Sequence, residues 1–218
     1  MRNRSTQLLS SIFNTDNWLM RVCEKILDLV TLNLLFLISC LPIVTIGIAK
    51  ISLYRTLQEV RDGRGVRVIR LYIHTFKAEW KYGLALGGIE ILVSIICLMN
   101  LLLFRGQTAM VFQGMKMLAF GLFFLMSMVM LYAYPLAARF EQSLQELLQT
   151  AFVLAGLHFL WTFAMLGFAA LLAFLLIGSS WTIVFGSMFF LLAGFSSLGY
   201  LQLGILEPIF RKYDNSPQ

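Results

Sequence analysis

The sequence predicts an all-α, polytopic transmembrane helical bundle, and three observations carry the prediction. The first is composition. Of 218 residues, 59% are apolar and 13% are charged, against about 45–50% and about 25% in a typical soluble domain. A water-soluble chain of this kind would expose apolar patches large enough to aggregate. The second is clustering. Four apolar runs, residues 83–104, 117–138, 151–177 and 181–206, contain a single formally charged side chain, Glu90. Each run reaches the roughly 20 residues that let an α-helix cross about 30 Å of hydrocarbon, and a helix satisfies its own backbone polar groups there. The third is the placement of charge. The seventeen Lys and Arg, set against eleven Asp and Glu for a net +6, all lie outside these runs, where basic residues orient a membrane protein. The same composition excludes a disordered chain, a disulfide scaffold and an extended nucleic-acid surface.

The chain reads as one membrane domain, residues 1–218. Its parts are an N-terminal amphipathic or hairpin segment (17–57), a basic cytoplasmic loop and amphipathic helix (58–82), four transmembrane helices (83–206) and a cytoplasmic tail (207–218). The N-terminal part is a fifth apolar region broken by Pro42, and two readings compete for it. A single kinked span over 27–49 divides the seventeen basic residues eleven inside to six outside. A hairpin that descends to Leu41, turns at Pro42 and returns through 43–57 divides them fifteen to two, leaving only Arg105 and Lys116 outside. The positive-inside rule favours the hairpin, with both termini cytoplasmic. Arg21, Glu24, Lys25 and Asp28 penetrate its first arm, so residues 17–28 read alternatively as an interfacial amphipathic helix. No small-residue cleavage site follows the apolar stretch, so no cleaved signal peptide is expected.

On the cytoplasmic side, Asp62-Gly63-Arg64-Gly65 is a turn signal. Beyond it Arg67, Arg70, His74, Lys77 and Lys81 recur at steps of three and four. Ile69, Tyr72, Ile73, Phe76 and Trp80 follow the same rhythm on another face. This predicts an amphipathic helix over 66–82, leading into a span at Gly83. Its cations suit anionic lipid headgroups at about 1 kcal/mol each near the surface, and its stripe equally suits a docking partner. A second cytoplasmic segment, Arg139–Gln149, follows Pro135, which is expected to kink the end of its span. Phe140, Leu144, Leu147 and Leu148 form its apolar stripe. It reads either as a solvated continuation of the membrane helix or as a contact surface including Arg139, Glu141 and Glu146.

Within the bilayer, Glu90 is the residue that most needs a reason, because an intramembrane carboxylate is a functional candidate by default. Lys50 sits at a similar depth, so the two can pair structurally; a coupled transport role and a contact with a partner subunit are the other readings. His158, in an apolar span beside Trp161, reads as a helix–helix hydrogen bond rather than a ligand. Two histidines and no clustered carboxylates predict no metal site, and Cys23, Cys40 and Cys97 show no paired spacing. Gly83-Leu84-Ala85-Leu86-Gly87 is a GxxxG match, which permits close helix approach without naming the partner helix. Trp80 and Trp181 suit the two interfaces. No P-loop, GxSxG or HExxH is present, and no inverted repeat is evident, so neither an enzyme nor a cofactor is expected.

Four stretches, Leu41-Pro42-Ile43-Val44-Thr45-Ile46-Gly47, Leu53-Tyr54, Phe76-Lys77-Ala78-Glu79-Trp80-Lys81 and Tyr134-Pro135-Leu136-Ala137-Ala138-Arg139-Phe140-Glu141, occur in an order that resembles the YesL-like family of bacterial membrane proteins. The resemblance spans about residues 16–212 and includes no catalytic motif. It implies a Gram-positive setting beside binding-protein-dependent ABC importers of oligosaccharides and glycan-degrading enzymes. The expectation is therefore a non-enzymatic accessory subunit of a carbohydrate ABC importer in the cell membrane. It would pack on permease helices and present Arg67, Arg70, His74, Lys77, Lys81 and the Arg139–Glu146 segment. The alternative is an independent small transporter or channel with Glu90 and Lys50 in its path.

Overall fold

A computed structural model describes residues 18–63, 67–107, 109–140, 142–177 and 180–214. Arg2, Arg4, Arg64 and Glu141 lie outside these, as do the side chains of Arg21, Trp181, Arg211 and Lys212. The described residues are helical, with no strand among them. In chain order the helices are α1 (Trp18–Ser39), a 3-10 turn (Ile43–Thr45), α2 (Ile46–Arg61), α3 (Val68–Ala78), α4 (Trp80–Leu103), α5 (Met110–Arg139), α6 (Leu144–Leu157), α7 (Phe159–Ile177), α8 (Ser180–Phe189), a π-helical turn (Phe190–Gly194) and α9 (Phe195–Asp214).

By length and composition, three segments can cross a membrane: α4, α5 and Gly186–Phe210, which joins the end of α8 to α9. Large apolar side chains cover their outer surfaces, Leu92, Ile95, Ile96 and Leu102 on α4 among them; hydrocarbon is the solvent that suits such a surface. By the same measure a fourth is added if α6 and α7 count as one, and they meet at 92°; α1 falls outside this measure, with Arg21, Glu24, Lys25 and Asp28 in its sequence. The expected straight helix over 151–177 is thus corrected. It is broken at His158, and the Thr162 hydroxyl bonds the His158 carbonyl (3.0 Å) and that of Ala155 (3.3 Å). The His158 carbonyl also takes the Thr162 N–H (3.0 Å), so the hydroxyl chiefly serves the Ala155 carbonyl at the interrupted ladder.

At the junction after α5 one of the two readings is removed. Arg139–Gln149 is not a continuation of the span. α5 ends at Arg139, and Ser143 opens a new helix with a capping box in which its hydroxyl accepts the Glu146 N–H and the Glu146 carboxylate accepts the Ser143 N–H. A serine followed three residues later by glutamate satisfies two otherwise free donors, which is why the helix starts there.

The basic helix is shorter than the predicted 66–82. It covers Val68–Ala78, breaks at Glu79, and Trp80 and Lys81 already belong to α4. Its buried positions are Val68, Tyr72 and Thr75. Of the apolar stripe, Ile69, Ile73 and Trp80 are exposed, while Tyr72 is buried.

The N-terminal part turns at Pro42, with Thr45 donating to the carbonyls of Ser39 (2.6 Å) and Pro42 (2.7 Å). The helix beyond this turn is not among the segments long and apolar enough to cross a membrane. α2 has 16 residues, about 24 Å at 1.5 Å per residue, and its successive turns meet different helices. Gly47 and Lys50 lie on α4. Arg55 and Gln58 donate to the Ala138 and Pro135 carbonyls of α5 at 2.5 and 3.1 Å. Tyr54 and Arg61 reach Gln202 and Glu207 of α9 at 2.6 and 2.7 Å. α2 therefore runs across the bundle. Its Gly47 end lies against Gly83, near the start of α4, whereas a hairpin would put the Pro42 turn at the far end of that span.

This crossing helix supplies both halves of the core. Ile51 joins Leu86, residues of α5 and α6, and Leu206 and Phe210 of α9. Ala49, Leu53, Leu57 and Val60 join Leu32 and Phe36 of α1, Val68 and Tyr72 of α3, and Leu203. Its buried hydroxyls are satisfied locally: Ser52 donates to the Ile48 carbonyl (2.9 Å) and Thr56 to that of Ser52 (2.8 Å), the back-bonding available to such residues inside a helix.

Candidate functional site

The site begins with three glycines. A Cβ on Gly47 would lie 2.7 Å from the Gly87 Cα, and one on Gly83 would lie 2.6 Å from the Ile48 Cα. Both are closer than side-chain carbons sit, so α2 and α4 touch backbone to backbone. The partner of the GxxxG pair is thus a helix of the same chain. One turn further along each helix the side chains regain space, and there Lys50 meets Glu90. The ammonium donates to both carboxylate oxygens, at 2.6 and 2.8 Å.

Tyr134 of α5 completes the group. Its hydroxyl donates to Glu90 Oε2, and its ring lies 4.7 Å from Lys50 Nζ, within cation–π range. Two opposite charges in one contact leave no net charge, which lowers the cost of placing them among membrane helices. Each side chain nevertheless remains 27% exposed. What they face is a cavity of about 590 Å³ between α1, α2, α4, α5, α7 and α9.

A second polar pair lines the same cavity. Tyr54, one turn after Lys50 on α2, donates to Gln202 Oε1 at 2.6 Å, and Gln202 Nε2 donates to the Leu131 carbonyl at 2.7 Å. Leu131 precedes Pro135 by four residues, and proline has no N–H to return to that carbonyl. Gln202 supplies the missing donor, so Pro135 sits inside α5 without ending it. On the other side of the bundle Asn33, fully buried, spans the π-helical turn. Its amide donates to the Phe190 and Leu191 carbonyls at 3.0 and 2.8 Å and accepts the Ser196 N–H at 3.1 Å. A π turn disturbs the i→i−4 ladder, and in a membrane the disturbed groups need another partner.

The remaining sequence candidates lie elsewhere. Arg67 just before α3, Arg70, His74 and Lys77 on it, and Lys81 at the start of α4 are all exposed. They share that surface with Ile69, Ile73 and Trp80, so it is mixed cationic and apolar. Tyr72 anchors the helix from beneath, and burial raises its hydroxyl pKa, so it stays neutral. Arg139 belongs to a separate polar cleft with Arg55, Glu59, Arg61, Asp62 and Glu207. Glu146 caps α6, and Glu141 lies outside the described residues. His158 marks the α6–α7 break instead of bridging helices. Among the described residues, no three His, Cys, Asp or Glu gather as a metal would require.

Sequence reasoning paired Lys50 with Glu90 but missed Tyr134, Gln202, Tyr54 and Asn33. The available signal was a polar side chain in an apolar run, which was applied to charge and not to amides or phenols.

Comparison with known proteins bears on the centre of this arrangement. Residues 29–101 match the model of the family described as Protein of unknown function, DUF624. YesL-like proteins belong to that family. The DUF624 match takes in about a third of the chain, including Asn33, the Gly47–Gly83–Gly87 crossing, the Lys50–Glu90 pair and all of α3. Tyr134 and Gln202 lie beyond the DUF624 region. No curated protein and no solved structure matches the chain.

Proposed function

We propose that the chain is a non-enzymatic subunit of the cell membrane that docks on a partner through the exposed face of α3. The observation that carries this reading is the mixed surface of Arg67, Arg70, His74, Lys77 and Lys81 with Ile69, Ile73 and Trp80. Cations alone are a solvated face. Cations interleaved with exposed apolar side chains suit a boundary, either the headgroup layer or the membrane-proximal surface of another subunit. The setting implied by the YesL-like resemblance makes the permease of a carbohydrate ABC importer the partner to test. Affinity purification from native membranes at mild salt is expected to recover a permease or ATPase subunit. Replacing Arg67, Arg70, Lys77 and Lys81 by Glu is expected to lose it. Recovery of neither subunit with the unaltered chain overturns the reading.

The α3 face is placed in the cytoplasm, because Lys50 to Lys81 and Arg139 hold the densest basic stretch outside the spans. Asn33 and Phe36 lie on the turn at residues 190–196, and the Pro42 turn after α1 leads into Gly47, held at the Gly83 end of α4, while α9 ends near Arg61 of α2. α1 then runs in the same direction as α9, and its Trp18 end points away from the cytoplasm. This favours the single-span reading of the N-terminal segment, at the cost of six basic residues outside.

A second reading, an independent small transporter, is favoured by one observation: the Lys50–Glu90 pair is open to a cavity. Solute flux in proteoliposomes of the isolated chain, abolished by Glu90→Gln, would support it. Flux that persists unchanged in the variant would remove Glu90 from the path.

A further inference from the structure

We propose that the cavity beside Lys50 and Glu90 binds one neutral, hydroxyl-bearing lipid, with its head at the polar groups and its chain along the apolar wall. The inference depends on neither functional reading above. Its volume, about 590 Å³, lies in the range of small-ligand sites, about 300–1,000 Å³. It sits among the segments able to cross a membrane, so the bilayer is the natural source of an occupant. Met130, Met165, Phe168, Phe195, Leu198 and Ile205 give it apolar, adaptable walls.

The polar groups are gathered together. Lys50 and Tyr54 lie one turn apart on α2, hence on one face, and each holds its own partner, Glu90 and Gln202. This end of the cavity selects a head by charge. An anion would compete with Glu90 for the Lys50 ammonium, and a cation would compete with Lys50 for the carboxylate. Either would separate a pair in a medium of low dielectric, which is costly. A neutral head leaves the pair intact.

The remaining hydrogen-bond capacity points to hydroxyl groups. Lys50 has three N–H donors and directs two contacts at Glu90. Gln202 uses one N–H on Leu131 and one acceptor site on Tyr54; an amide has a further donor and a further acceptor site. The Tyr54 oxygen can still accept. The end of the cavity therefore offers donors and acceptors side by side without net charge. A hydroxyl, which donates and accepts at one atom, uses both.

Trp161 lines the cavity and provides the reporter. The full chain, with Trp18, Trp80 and Trp181 replaced by Phe, is reconstituted in phosphatidylcholine vesicles. Its fluorescence is titrated with dibromostearoyl monoglyceride, dibromostearic acid and dibromostearylamine. The expected result is saturable quenching by the monoglyceride at a mole fraction about fivefold below that for the acid or the amine, roughly the worth of one hydrogen bond. Ala164→Leu and Ala169→Leu, each projecting into the cavity, are expected to abolish this preference while the unfolding transition persists. Identical curves for the three heads, a preference for the acid or the amine, or a preference that survives in whichever filled variant still folds would each overturn the proposal.

Discussion

Lys50 meets Glu90 one helical turn beyond the point where Gly47 abuts Gly87, so backbone contact between two helices sets the position of an ion pair. If the pair chiefly neutralises two charges, removing one partner is worse than removing both. Glu90→Gln or Lys50→Met alone leaves a charge or donor group without its counterpart and is expected to cost about 3–5 kcal/mol, toward the lower figure because the pair is partly open to the cavity. Lys50→Met with Glu90→Leu is expected to recover most of that loss. Denaturant titration of the detergent-solubilised chain measures all three. A double variant less stable than either single one would show that the charges themselves hold the helices together.

The glycines make a sharper test, because the chain contains its own control. Gly47→Ala places a methyl group against the Gly83 and Gly87 backbone, which cannot rotate away, and is expected to cost about 1–3 kcal/mol. Gly88→Ala, on the same α4 helix with nothing within 4 Å of its added carbon, is expected to be neutral or mildly stabilising, since alanine is the better helix former. Equal effects in the same titration would mean that α2 and α4 are not in backbone contact.

Much of this was legible in the sequence, and the limits have identifiable causes. Long apolar runs announced α4 and α5, because length and hydropathy are all that a lipid-facing helix must supply. The Lys50–Glu90 pair was legible for the complementary reason, that charge in such a run needs a partner. α2 was misread because its apolar residues look the same whether lipid or protein covers them. Only Gly47, whose partners Gly83 and Gly87 lie elsewhere in the chain, betrays a helix crossing others. The break at His158 carries no proline, only the isolated Gly156 two residues before it, which a membrane helix tolerates, and the side-chain bonds at the break come from Thr162, itself unremarkable in an apolar stretch. On α3 the apolar stripe included Tyr72, which is buried, but hydropathy does not separate Ile69 and Ile73, which are exposed, from Val68, which is buried, because both faces carry apolar residues.

Pro135 and Gln202 form a pair that a double-mutant cycle can resolve. Gln202→Leu removes the donor to the Leu131 carbonyl and is expected to cost about 1–2 kcal/mol, since the carbonyl is then unsatisfied among apolar groups. Pro135→Ala restores an N–H four residues on, so in the Gln202→Leu background it is expected to return part of that loss. The coupling energy between the two sites is the measured quantity. A value indistinguishable from zero would mean that Gln202 does not stand in for the proline.

Asn33 is tested by the same logic at the π turn. Asn33→Leu preserves bulk but leaves two carbonyls and one N–H without the amide that serves them. Intramembrane hydrogen bonds average about 0.6 kcal/mol and reach about 1.7, so a loss of about 1–3 kcal/mol is expected for the group. Amide hydrogen exchange should rise locally over residues 190–196. Unchanged protection there would place the stability of the turn in the Phe36–Phe195 and Phe190–Phe195 ring contacts instead.

The direction of α1 has a consequence for chemical labelling. Cys23 is exposed and lies between Arg21 and Glu24–Lys25, residues that suit a headgroup layer and not hydrocarbon. On the proposed orientation, with α1 parallel to α9, that layer is the outer one. In a background with Cys40→Ser and Cys97→Ser, a membrane-impermeant maleimide applied to intact cells is expected to modify Cys23. A cysteine placed at Lys77 on α3 in the same background should react only after permeabilisation. Reaction of both positions only after permeabilisation would return the N-terminal helix to the cytoplasmic face. It would then have to lie in the interface, because the Pro42 turn is already held at the Gly83 end of α4 by the Gly47 contact.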